Sequence, residues 1–304
     1  MKNTVSLAVV GSIGIDTVET PADRRPDILG GSVSFACAAS SFFSRTGMVG
    51  VVGTDFPAKF TGAFRRFAID LEGLQKVEGK TFRWSGVYEK NMNVRRTLST
   101  DLNVFASFAP VLPPHYARSP FVFLANIAPA LQLHVLDQAK RPKFVAADTM
   151  DLWINNTLKD LKKVIARVDM LLLNDSEACH LTGCSLLLDA ARKVLSMGPE
   201  YVVIKKGEHG SMLVSKKGIF LAPAYPVDSV VDPTGAGDSF AGGLMGWLAK
   251  ANRVDEKTVR TAMLYGSVMG SFCVEAFSLD RFLRLKRSEV DRRFKNLLAM
   301  TRVS

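Results

Sequence analysis

Short runs of β-branched and apolar residues recur along this chain and alternate with longer stretches in which apolar positions return every three or four residues. The runs at 6–11, 48–52, 121–124, 144–147, 170–173, 201–205 and 211–214 predict strands. Between them, 33–43, 57–67, 130–139, 156–165, 176–181 and 186–195 predict helices. A strand that is apolar throughout is buried on both faces, as in a parallel sheet covered by helices on either side. The pattern predicts an α/β fold with a mostly parallel central sheet.

Residues 80–105 break this rhythm. Positions 82–88 and 95–100 alternate with period two around a turn-like 89–93, which predicts a hairpin. With the extended stretch 14–20 it predicts a small β-sheet lid able to close over a small molecule; the plainer alternative is an ordinary edge hairpin. No internal repeat or low-complexity linker divides the chain, so 1–304 is expected to be one domain.

Composition narrows the function classes. With 47% hydrophobic and 22% charged residues the chain is globular rather than disordered or fibrous. No apolar run approaches the ~20 residues of a membrane span, so no membrane partner is expected. The first apolar run leads into Gly11, Gly14 and Asp16 with no small-residue cleavage pattern, and a cytoplasmic address is expected. Cys37, Cys179, Cys184 and Cys273 form no C-x-x-C pair and the four histidines are scattered, so no zinc site is expected. The net charge of +10 points to an anionic partner, either nucleic acid or a polyphosphate nucleotide. The densest basic cluster, 281–295, is interleaved with Phe282, Leu283, Leu285 and Val290 and reads as the wet face of a C-terminal helix, so nucleic acid is not the expected partner.

Chemistry concentrates at 231–248. Phe240, Leu244, Trp247 and Leu248 recur at helical spacing, which starts a helix near Gly235–Asp238. Glycines at that start let a tight turn aim successive backbone N–H groups at one point, where the helix dipole adds positive potential: a phosphate cradle. Gly242, Gly243 and Gly246 would each cost about 1 kcal/mol in a helix interior, which makes sense only if something packs very close to that backbone. Asp238 is either a helix N-cap or a general base for a hydroxyl attacking a phosphoryl group held by the Gly235, Ala236 and Gly237 amides. A second glycine-rich segment ending in Gly79-Lys80-Thr81 spaces its glycines wrongly for a phosphate loop and follows no strong strand.

The segment Asp232-Pro233-Thr234-Gly235-Ala236-Gly237-Asp238 resembles the C-terminal signature of the ribokinase/PfkB family of sugar and nucleoside kinases. Gly30-Gly31-Ser32 opening an Ala-rich helix resembles that family's sugar-site glycines, and 50–55 resembles the strand and turn that follow. Asn174-Asp175-Ser176-Glu177 matches its Asn-x-x-Glu element, and Lys206-Gly207-Glu208-His209-Gly210 its Gly-x-x-Gly turn before the ATP site. The resemblance implies a ribokinase-like three-layer sandwich. It implies that Asp238 is the base, that Gly235, Ala236 and Gly237 form the anion hole, and that Asn174 and Glu177 organise Mg²⁺ and phosphate through water. Lys206, Gly207, Gly210 and Thr234 fall on the ATP side. Asp16, expected at the end of the first strand, matches the carboxylate that bonds acceptor hydroxyls, while Gly30 and Gly31 would let the acceptor approach the backbone. Asp232 lies where members of the family can hold a monovalent cation such as K⁺.

Three departures bear on the acceptor. Phe35 stands where sugar kinases commonly carry an Asn, which removes an amide and offers an aromatic face. Asp148 is not followed by the family's Asp-x-Asn-x-Arg pattern, and Pro57 stands where the turn after Asp55 often has Gly. Trp84, Tyr88, Asn93 and Arg95 in the lid supply ring faces and donors suited to a nucleoside or pentose. The expectation is an ATP- and Mg²⁺-dependent kinase acting on a hydroxymethyl group, with a ribosyl compound favoured and a homodimer through the lid as a further expectation. A kinase for a pyridoxal-type vitamin precursor and a silent nucleotide-binding regulator stay open.

Overall fold

The computed structural model describes residues 5–302. In chain order the strands are β1 (Leu7–Val10), β2 (Gly14–Glu19), β3 (Arg24–Gly30), β4 (Thr46–Val52), β5 (Asp70–Lys76), β6 (Phe82–Tyr88), β7 (Arg95–Asp101), β8 (Phe121–Leu124), β9 (Phe144–Asp148), β10 (Met170–Asn174), β11 (Tyr201–Lys205), β12 (Ser211–Ser215) and β13 (Gly218–Ala222). The helices are α1 (Ser32–Ser41), α2 (Ala58–Arg66), α3 (Pro129–Gln138), α4 (Asp151–Asn156), α5 (Leu158–Ile165), α6 (Asp175–Thr182), α7 (Leu187–Leu195), α8 (Ala236–Ala251), α9 (Glu256–Cys273), α10 (Asp280–Arg284) and α11 (Arg287–Met300).

Nine strands form the central sheet in the order β13-β12-β11-β10-β9-β8-β1-β4-β5. Those from β11 to β5 run parallel, and β12 and β13 turn back antiparallel at one end. The two-residue period of a strand divides its side chains between two cores. Leu7 and Val9 of β1 enter one with α1, α8, α9 and α11, whereas Ala8 and Val10 enter the other with α3, α5, α6 and α7. The result is the expected three-layer sandwich, with the C-terminal ends of the parallel strands along one edge.

Beside that edge lies a four-stranded sheet in the order β3-β2-β6-β7. β2 pairs antiparallel with β3 and parallel with β6, and β6 pairs antiparallel with β7. The predicted hairpin and extended segment are both there, but the sheet also contains β3, which the sequence pattern did not show. Its Arg24, Arg25, Pro26 and Asp27 are exposed, and proline is tolerated because β3 is an edge strand. Asp16 lies within β2 of this small sheet, not at the end of the first strand of the central one. A weak cluster of Val18, Tyr88 and Phe277, with Val231 against it, joins the small sheet to the main body.

α1 and α8 cross with no side chain between them at two points. A Cβ on Gly242 would lie 2.3 Å from the Ala36 carbonyl oxygen, and one on Gly246 would lie 2.7 Å from Ser40 Cα. The glycines expected to mark a close approach do so. α9, absent from the sequence reading, packs on the same helix, and its start is capped by Asp255, whose carboxylate accepts from Thr258 N at 2.8 Å. The predicted C-terminal helix is two, α10 and α11, broken at Leu285 and Lys286. Its arginines are not a simple wet face: Arg281 bonds Glu275 and Glu289, and Arg293 bonds Glu275 while lying 3.5 Å from the Phe272 ring centroid. Gly79-Lys80-Thr81 is a structural turn in which Thr81 donates to Asp55 through both its N–H and its hydroxyl.

Candidate active site

The site forms where the C-terminal ends of β9, β10 and β11 meet the N-terminus of α8. Gly235 caps that helix in the left-handed region at φ 77°, a conformation glycine adopts without a Cβ penalty. Ala236 and Gly237 follow as its first residues; the Ala236 N–H, expected to face an anion, instead donates to the Pro233 carbonyl at 3.2 Å, while among the described residues the Gly235 and Gly237 N–H groups stay open, as a helix start leaves them. Asp238 is inside the first turn and caps nothing, since no side chain bonds the helix start. Its carboxyl is pushed up to about 7, first by burial and then by the neighbouring Asp148 carboxylate, with Lys205 and Arg95 opposing.

Two basins flank this helix start. In the acceptor basin the buried Asp16 carboxyl fits against Gly30 so tightly that a Cβ there would overlap Oδ2 at 1.8 Å. The space at Gly30 is therefore taken by Asp16. Gly31 turns at φ 93° over the backbone of Ser12 and Ile13. Burial, with Asp232 and Asp238 nearby, raises Asp16 to about 8, and its Oδ1 has no hydrogen-bond partner among the described residues. An alcohol is the group that would complete it. At the ends of β1 and β8, Ser32 Oγ donates to the Asn126 carbonyl at 3.2 Å, and the Trp153 indole N–H donates to Asn126 Oδ1 at 2.7 Å.

The donor basin is a cavity of about 520 Å³ lined by residues that include Gly207, Tyr225, Val230, Gly237, Ser267 and Gly270. Small residues on α9 leave it wide enough for a flat ring. Gly207 and Gly210 both hold positive φ, 54° and 80°, on either side of a short helical turn. Asn174 and Glu177 form a reciprocal cap at the start of α6: Asn174 Oδ1 accepts from Glu177 N at 2.8 Å and Glu177 Oε2 accepts from Asn174 N at 2.7 Å. Burial raises the Glu177 carboxyl to about 7. Asp232 is buried and, among the described residues, accepts from backbone donors, Thr234 N at 2.9 Å and Ser278 N at 3.5 Å.

Several sequence-predicted residues occupy other places than expected. Phe35 is only 2% exposed, and its ring lies on Gly235, so it offers no open face to an acceptor. Asn93 reaches the donor side, donating from Nδ2 to Glu208 Oε1 at 3.3 Å, rather than the acceptor basin. The lysine in the site is Lys205, whose Nζ lies 2.6 Å from Asp148 Oδ2; Lys206 closes the turn through its backbone N–H to Gly210. Arg95 lies over the Trp84 ring at 5.3 Å and acts electrostatically on both Asp16 and Asp238. Thr234 donates to the Tyr88 hydroxyl at 3.1 Å, which links the lid to the helix-start turn. Asp148 and Lys205 were not identified as site residues from the sequence. Parallel register places Asp148 beside Leu172 and Lys205 beside Asn174, a juxtaposition that spacing along the chain does not reveal.

A helix-start anion turn carrying an inward carboxylate, at the switch edge of a parallel sheet under a β-lid, defines a phosphotransferase with an alcohol acceptor. The chain belongs to the pfkB family of carbohydrate kinases, whose family model matches residues 7–283. It is 30% identical to the cytidine kinase of Thermococcus kodakarensis over 83% of this chain and 91% of that protein. The nucleoside kinase of Methanocaldococcus jannaschii superposes with a TM-score of 0.79 at 19% identity, covering 97% of this chain and 99% of the other. The aminoimidazole riboside kinase of Salmonella enterica, solved with its riboside and an ATP analogue, superposes with a TM-score of 0.74 at 21% identity over 95% and 99% of the two chains. No helix among the described residues is long and apolar enough to cross a membrane.

Proposed function

We propose that this kinase transfers the γ-phosphoryl group of ATP to the hydroxymethyl group of a ribosyl compound, a nucleoside in preference to a free sugar. The observation that carries the reading is the pairing of Asp238, inside the first turn of α8, with the unpartnered Asp16 in the acceptor basin. Asp16 accepts hydrogen bonds from sugar hydroxyls and holds the hydroxymethyl toward Asp238. Asp238 takes the hydroxyl proton as the oxygen attacks; the new O–P bond forms while the bridging P–O bond to ADP breaks. The open N–H groups of Gly235 and Gly237 take up charge on the transferred group, so catalysis is positioning and charge neutralisation.

Asn174 and Glu177 suit an Mg²⁺ held through water, because Glu177 Oε1 is free of the helix cap and burial raises its carboxyl despite the neighbouring Lys205, so a cation beside it would restore its charge. Magnesium, when bound with the nucleotide, would neutralise the donor phosphates. Asp232, a buried carboxylate with no cationic side chain bonded to it, suits a monovalent cation such as K⁺. A ring-bearing acceptor is favoured by the cytidine kinase likeness and by Trp153, half-buried beside Asn126 at the acceptor basin. The outer edge of β7, exposed along its whole length, suits pairing with a second copy. The test is a panel of nucleosides, pentoses, hexoses and pyridoxal-type precursors scored for acceptor-dependent ADP formation, where cytidine and related nucleosides should give the highest kcat/KM. Tight ATP binding without turnover on any acceptor would overturn the reading.

A further inference from the structure

We infer that Lys205 is a further catalytic residue, whose ammonium group meets the donor's γ-phosphoryl group beneath the helix-start turn, and that Asp148 is the positioning residue that aims it. This rests on the kinase reading above.

The Lys205 side chain is 17% exposed and that of Asp148 4%. Burying such a pair gains little for folding, because desolvation of both ions offsets their attraction. A purely structural ion pair has no reason to sit at the floor of a substrate cavity, yet Lys205 lines the donor basin. Its ammonium has three donors, of which Asp148 Oδ2 takes one, and no other protein acceptor bonds it among the described residues. The remaining donors are open toward the cavity. Gly237 is what leaves the way clear: a Cβ there would lie 3.4 Å from Nζ, so any side chain at that position would begin to cover the ammonium.

Asp148 is itself fixed. Its Oδ1 accepts from Thr149 N at 2.9 Å, and its carbonyl accepts from Gln132 Nε2 at 3.0 Å. The lysine is thus held from below by an anchored carboxylate and faces the anion turn above. Glu177 and Asp238 also act on it, so three carboxylates surround one ammonium and keep it charged. A γ-phosphoryl group seated at the Gly235 and Gly237 amides would meet that charge directly, whereas ADP, one phosphate shorter, would not.

The experiment compares ATP and ADP binding by calorimetry at fixed Mg²⁺, without acceptor, and then steady-state kinetics on the best acceptor of the panel. Lys205→Met should lose at least tenfold of its preference for ATP over ADP and at least a hundredfold in kcat, with acceptor KM within threefold. Lys205→Arg should recover part of both. Asp148→Asn should lower kcat in wild type and have no further effect in the Lys205→Met background. That paired variant removes both ions of the contact together and guards against failure to fold. An unchanged ATP-to-ADP ratio in Lys205→Met or in the paired variant, or additive effects of the two substitutions, overturns the inference. If wild type itself turns over no acceptor, the kinase reading has failed instead.

Discussion

The ring of Phe35 lies flat on Gly235, with Cγ, Cδ1 and Cδ2 all 2.3–2.4 Å from where a Cβ at that glycine would be. The helix start that carries the anion turn is therefore braced by α1, and no residue but glycine fits there. Gly235→Ala is expected to cut kcat at least tenfold and lower the melting temperature, since it adds a clash to a positive φ. Phe35→Ala, which removes the brace, should cost about 3–5 kcal/mol of stability. Thermal unfolding and steady-state rates check both; a wild-type-like Gly235→Ala enzyme would show the brace to be irrelevant.

Asp238→Asn should bind ATP with near-native affinity while kcat falls by about 10²–10⁴-fold, the range a positioned base contributes. Because the wild-type carboxyl is raised to about 7, kcat/KM should climb as pH rises through that value and flatten above it. The pH–rate profile between 5 and 9 is the measurement. A flat profile would remove Asp238 from the role of base.

Asp16 gives a stability prediction with a definite sign. It titrates from 3.8 when unexposed to the fold but near 8 within it, so over that window the native state must hold a proton the unfolded chain has released. Its destabilising effect is absent below pH 4, grows as pH rises, and is complete above pH 8. Asp16→Asn should therefore melt progressively higher than wild type as pH increases from 4 to 8, while acceptor KM rises steeply. A pH-independent difference in melting temperature would contradict this.

Two glycines on helices should answer opposite ways to the same substitution. Gly246→Ala puts a methyl against the Ser40 backbone at 2.7 Å, and overpacking of about 1–3 kcal/mol outweighs the gain in helix propensity. Gly62 on α2 has nothing within 4 Å of such a methyl, so Gly62→Ala should stabilise by up to about 1 kcal/mol. Chemical denaturation of both variants tests the pair.

The sequence made the helix-start turn legible because its residues are contiguous: Gly235, Ala236, Gly237 and Asp238 fold into one turn whatever surrounds them. Lys205 and Asp148 were not, being 57 residues apart and brought together across β10. The central strands were plain from their unbroken apolar runs. The edge strands β3 and β5 were hidden, because an edge strand half in water carries too few apolar positions to announce itself, whereas β13, apolar from Ile219 to Ala222, was legible and was passed over. Phe35 misled for a related reason: its position resembled a substrate contact, while its partner, Gly235, lies 200 residues downstream in the chain.

Among the described residues one side-chain hydrogen bond, between exposed groups, ties the tip of the β6–β7 hairpin to the rim of the donor basin, Asn93 Nδ2 to Glu208 Oε1 at 3.3 Å. Such a bond is worth about 0.5–1.5 kcal/mol, so thermal motion unfastens it readily. Two further bonds tie the same sheet to the main body: Ser278 Oγ donates to the Leu29 carbonyl of β3 at 2.5 Å and, directly before the hairpin turn, Thr234 donates to the Tyr88 hydroxyl at 3.1 Å. The turn that carries Asn93 is thus flanked by the Tyr88 anchor on one side and held to the cavity rim by a single weak bond on the other. Breaking that one bond frees the turn from the rim at Glu208 while the Tyr88 and Leu29 anchors stay closed.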